Sequence, residues 1–141
     1  MERIIKIYRE LIPLLVAMLF VYTAVSKVYD SVGTMRALYN QVFPHWMAEL
    51  IFYGLPVIEL VIAVMVLLPK FRRKGMWAGF LLMIAFTAYI SLVMGDVFDR
   101  VPCSCGGVLS SLGWEEHLVF NLSVLVMMVI WLIKYDRGSE E

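Results

Sequence analysis

The chain is predicted to be an all-α membrane protein. The expected form is a four-transmembrane-helix bundle with both termini cytoplasmic and a short amphipathic helix on the outer surface between spans one and two. Three observations predict it. Of the 141 residues 62% are hydrophobic and 17% charged, and the mean hydropathy of +0.82 lies outside the usual range of soluble domains. Four apolar stretches are each long enough to cross a hydrocarbon core of about 30 Å, which takes about 20 helical residues. Basic residues gather on one side of those stretches.

The spans are residues 11–28, 50–68, 76–95 and 114–133, within a single domain covering 1–141. In lipid a backbone must satisfy its own hydrogen bonds, and stretches this long are helices rather than barrel strands. Nine lysines and arginines flank one side: Arg3, Lys6 and Arg9, then Lys70, Arg72, Arg73 and Lys74, then Lys134 and Arg137. Only Lys27, Arg36 and Arg100 lie on the other. The positive-inside rule then places the termini in the cytoplasm and turns the loop 96–113 outward. A cleaved signal peptide ending at Ala24-x-Ser26 is the rival reading, but bulky Phe20, Tyr22 and Tyr29 crowd that site. Trp77 and Trp131 at the inner ends, with Trp46 and Trp114 at the outer ends, are expected as interfacial belts. A net charge of zero gives no reason to expect nucleic acid as a partner.

Between spans one and two, Met35, Leu38, Tyr39 and Val42 recur at helical spacing among polar Thr34, Arg36, Asn40 and Gln41. This pattern predicts an amphipathic surface helix ending near Pro44; a loop folded over the bundle mouth fits the same residues. Pro56 should bend or loosen span two one turn before Glu59. Glu115 and Glu116 open span four, where acidic groups suit the helix dipole.

Glu59 is a carboxylate roughly 13 Å below the outer boundary at 1.5 Å per residue, and such a group at membrane depth marks a functional candidate. Thr87 and Asn121 fall at similar depth, with Ser26, Lys27, Ser91 and His117 nearer the outer face. His117 and Asn121, four residues apart, share a helix face and draw a line from the loop toward Glu59. Thr87 and Asn121 equally suit interhelical hydrogen bonding. Lys27 either snorkels to the surface, the simpler expectation, or pairs with Glu59.

The loop segment "VPCSCGG", residues 101–107, holds the only two cysteines, Cys103 and Cys105. Outside a bacterial cytoplasm paired thiols tend to become disulfides. Residues one apart need a local turn to bridge, which Gly106, Gly107 and Pro102 can supply. So tight a bridge should be strained, and strained bridges exchange readily. The alternatives are a static disulfide, which would stabilise little, a zinc site with His117 that lacks a fourth ligand, and a pair of idle thiols.

Residues 81–122, "LLMIAFTAYISLVMGDVFDRVPCSCGGVLSSLGWEEHLVFNL", with "VYTAVSKVYD" in span one and "LPVIELVIAVMVLLP" in span two, carry a resemblance over almost the whole chain. The sequence resembles the MauE/DoxX family of redox-associated bacterial membrane proteins, and its MauE-like branch in particular. The specific signature is Pro-Cys-Ser-Cys-Gly-Gly followed by Trp-x-x-His-x-x-x-Asn. The resemblance implies a four-helix inner-membrane protein with an exposed redox-active cysteine pair, Cys103 and Cys105. MauE is associated with maturation of the disulfide-rich small subunit of methylamine dehydrogenase, and DoxX with a thiosulfate-oxidising quinone reductase. His117 and Asn121, Glu59, and Ser26 with Lys27 match the family pattern without an assigned role. The architecture is also similar to that of four-helix enzymes passing electrons from thiols to quinone, although the chain lacks their second cysteine pair.

The expected function is an inner-membrane thiol–disulfide redox component, a dithiol:quinone oxidoreductase if it turns over by itself. It exchanges electrons with a periplasmic thiol protein through Cys103 and Cys105, with His117 moving protons and quinone beside Glu59 and Asn121. The alternatives are a non-enzymatic accessory or docking subunit of a periplasmic or membrane complex, and a small transporter in which Glu59 is the protonatable site.

Overall fold

A computed structural model describes residues 1–95, 97 and 113–138. Among them every regular element is an α-helix: α1 Glu2–Tyr29, α2 Ser31–Tyr39, α3 His45–Leu67, α4 Arg72–Met94 and α5 Trp114–Gly138. Helices α1, α3, α4 and α5 are each long and apolar enough to cross a membrane. Helix α1 packs most extensively on α3, α4 bridges α3 and α5, and α5 closes back on α1. One end of the bundle therefore carries the start of α1 and the end of α5, and the other, the loop end, carries α2, the end of α4 and the start of α5. Several helices outrun the apolar stretches that predict them. Helix α1 begins at Glu2 rather than 11, and α5 continues to Gly138, because Glu, Lys and Arg end a hydrophobic run without ending a helix.

The half of the bundle away from the loop is packed with apolar side chains. Val16 and Phe20 of α1, Ile62 and Val66 of α3, Met76 and Met83 of α4, and Met128 and Trp131 of α5 form one buried cluster. Pro13 lies inside α1 and has no N–H to give the carbonyl of Arg9 one turn earlier. Trp131 Nε1 donates to that carbonyl at 3.0 Å, so the proline's missing bond becomes an interhelical one. Beside it the Tyr8 hydroxyl donates to the Met127 carbonyl at 3.3 Å. Trp131 is only 1% exposed, whereas Trp46 and Trp77 are 64% and 44% exposed. Of the expected belt, Trp131 is thus a core residue with its indole N–H satisfied.

The α3–α4 turn is tight. A Cβ on Gly75 would lie 2.7 Å from the Val66 nitrogen, so only glycine admits that approach. Arg72 closes this end, its Nε donating to the Val66 carbonyl at 3.2 Å and its Nη1 reaching Glu10 at 3.0 Å.

At the loop end, Asp30 caps α2 by accepting the Gly33 N–H at 3.0 Å, the usual task of an N-cap carboxylate. The helix stops at Tyr39, short of the expected Pro44. Its orientation departs from expectation in part: Thr34 is buried and lines the interior with Ala37 and Leu38, buried Gln41 follows just past the helix end, and Met35 and Tyr39 line a separate groove. Helix α2 is a roof over the bundle mouth, uniting the two readings its sequence allowed.

Candidate functional site

Under that roof lies a cavity of about 170 Å³. Helix α1 contributes Thr23, Ser26 and Lys27, α2 Thr34, α3 Glu59, α4 Tyr89, and α5 Trp114, His117 and Asn121. Phe20, Leu55 and Phe86 supply much of the apolar lining. The polar residues singled out in spans one, two and four therefore converge on one space.

Lys27 and Glu59 form its charged wall. Lys27 Nζ lies 2.9 Å from Glu59 Oε1 and 3.1 Å from Oε2, and also donates to the Thr23 carbonyl at 3.2 Å. Glu59 is 1% exposed, so the ammonium compensates a carboxylate that would be costly alone in low dielectric. The snorkelling expected for Lys27 does not occur: from the last turn of α1 its side chain bends inward to the acid. The Ser26 hydroxyl donates to the Thr23 carbonyl at 3.1 Å, a local bond within α1.

His117 and Asn121 line the cavity one turn apart. Glu116 ties the start of α5, its carboxylate accepting the Gly113 N–H at 3.0 Å, while the His117 N–H donates to the Gly113 carbonyl at 3.0 Å. These bonds set the first turn that carries Trp114 and His117. Thr87 behaves otherwise. Its hydroxyl donates to the Met83 carbonyl of its own helix at 2.7 Å, a local back-bond rather than interhelical glue, and it is absent from the cavity wall.

Two features escape a reading of the sequence. Gln41 is buried and holds the roof in place, its amide donating to the Ala37 carbonyl at 3.2 Å while its Oε1 accepts the Tyr89 hydroxyl. Thr34 is 6% exposed, and its Oγ1 has no hydrogen-bond partner among the described residues. Both are polar positions on an amphipathic pattern, which by composition alone face water. Cys103 and Cys105, with Gly106 and Gly107, lie outside the described residues. Their segment joins α5 at Gly113, next to Trp114 and four residues before His117.

Four membrane-length helices enclosing a polar, ion-paired cavity under a short roof helix define a small integral membrane protein with an interior site at its loop end. The chain belongs to the MauE family: the family model described as methylamine utilisation protein MauE matches residues 5–134, which include all of α2, α3 and α4 and most of α1 and α5. No curated protein and no solved structure matches the chain.

Proposed function

We propose that the protein is a bacterial inner-membrane thiol–disulfide redox component, its 96–113 loop outside the cytoplasm, passing reducing equivalents between protein thiols and a quinone through Cys103 and Cys105. The observation that carries this reading is the shared cavity. Lys27, Glu59, His117 and Asn121 come from three helices to one space, beside the point where the cysteine segment joins α5.

A partner thiolate attacks one sulfur of the oxidised pair, the S–S bond breaks, and the departing thiolate takes a proton. The partner's second thiol then displaces the mixed disulfide. The partner leaves as a disulfide, and Cys103 and Cys105 remain as a dithiol carrying two electrons and two protons. Flow in the reverse direction uses the same residues. His117 is placed to hold or pass the proton, since imidazole does both near neutral pH.

In this reading the cavity takes a quinone ring: Phe20, Leu55 and Phe86 would give it apolar surface, and the Asn121 amide and the Lys27 ammonium would hold its polar edge. When bound, a quinone supplies a two-electron, two-proton acceptor.

A second reading, an accessory subunit without turnover of its own, is favoured by the family's description as a utilisation protein. Trapping separates the two. Cys103→Ser and Cys105→Ser, expressed separately, should each leave one sulfur able to form a lasting bond; a defined thiol protein should accumulate on one of them. Normal assembly of the methylamine system with both variants, and no trapped protein, would leave the accessory role.

A further inference from the structure

We infer that the cavity opens sideways into the bilayer between α1 and α5 at Tyr22 and Ser26, and that its ligand is a tailed, membrane-dissolved quinone whose chain leaves through that gap. The inference rests on the quinone reading of the cavity and adds the ligand's route and form.

Size comes first. About 170 Å³ is below the roughly 300–1,000 Å³ of pockets that enclose drug-sized ligands, so the space takes a ring and leaves no room for a long chain. Lys27 and Asn121 give the cavity a polar side, which suits a ring bearing oxygens, and a chain on that ring must run out of the cavity.

The exit follows from how α1 and α5 meet. In the half away from the loop they are joined by Tyr8 to Met127 and Trp131 to Arg9. Toward the loop end, none of the hydrogen bonds found between described residues joins them, and the cavity stands between the two helices. Ser26 follows Tyr8 by about five turns at 3.6 residues each, which puts it on the same edge of α1, the edge facing α5. Tyr22 is 40% exposed and Ser26 half-buried. Both also line a second, apolar groove that crosses the outer face of α1 past Met18, Val21 and Val25 to Leu67 of α3. The two residues are therefore the shared rim of a polar interior and a lipid-facing track.

The test compares a decyl-substituted benzoquinone with the same ring bearing only a methyl group. Binding to the full chain in phosphatidylcholine nanodiscs is read by quenching of Trp114, with Trp114→Phe identifying that signal. Val25→Trp fills the lipid-facing track beside the gap, outside the cavity wall, and should weaken the decyl compound by about tenfold while changing the methyl compound by less than about twofold. Met18→Ala clears the same track and should speed association of the decyl compound alone. Equal effects on both compounds in these variants overturn the lateral route while the quinone reading stands. Binding of neither compound to the unaltered chain removes that reading and the route with it.

Discussion

Lys27 Nζ sits 2.9 Å and 3.1 Å from the two carboxylate oxygens of Glu59, joining the end of α1 to the middle of α3 across the cavity wall. The pair is asymmetric in exposure, the lysine side chain at 20% and the glutamate at 1%. Removing the lysine therefore strands a buried acid, whereas removing both charges strands nothing. Lys27→Met should destabilise the bundle by about 3 kcal/mol, and Lys27→Met with Glu59→Leu should recover most of that loss. Reversible unfolding in mixed micelles measures both.

Hydropathy made the four spans legible because a membrane helix is a matter of length and composition. It was blind to how polar residues turn. Lys27 near a helix end satisfies snorkelling and pairing equally until the position of Glu59 on α3 is known. Gln41 points inward because the Tyr89 hydroxyl of α4 donates to its Oε1 there, and no local pattern carries that information. Trp131 looked interfacial until Pro13, more than a hundred residues away, freed a carbonyl for its indole.

Glycines separate close packing from open lipid contact. A Cβ on Gly75 meets Val66 backbone at 2.7 Å, one on Gly79 meets the Phe20 ring at 2.9 Å, and one on Gly54 meets nothing within 4 Å. Gly75→Ala should cost about 1–3 kcal/mol and Gly79→Ala less, as a ring can shift. Gly54→Ala should be neutral or stabilise by up to about 1 kcal/mol. The rank order in one unfolding series is the check.

Thr34 carries a buried hydroxyl without a hydrogen-bond partner among the described residues. Thr34→Val keeps the shape and removes that hydroxyl, so the protein should gain about 1 kcal/mol. Unfolding of the two proteins side by side is the check, and an unchanged or lowered midpoint would contradict it.

The charge pattern predicts a loop that lies outside the cytoplasm. After mild reduction, a membrane-impermeant maleimide added to cells with a permeabilised outer membrane should label Cys103 and Cys105. Labelling only from the cytoplasmic side would invert the bundle and place the thiols opposite to the proposed partner.

The central claim is that Cys103 and Cys105 and the cavity form one electron path. Its most direct test is to reduce the purified protein in nanodiscs, remove the reductant, add a decyl-benzoquinone whose ring is fully substituted so that thiols cannot add to it, exclude oxygen, and count free thiols against quinol formed. The account predicts that the two thiols disappear together with the appearance of one quinol per chain, and that Asn121→Leu slows both in step. Thiols that persist at saturating quinone, or that oxidise without quinol appearing, would contradict it.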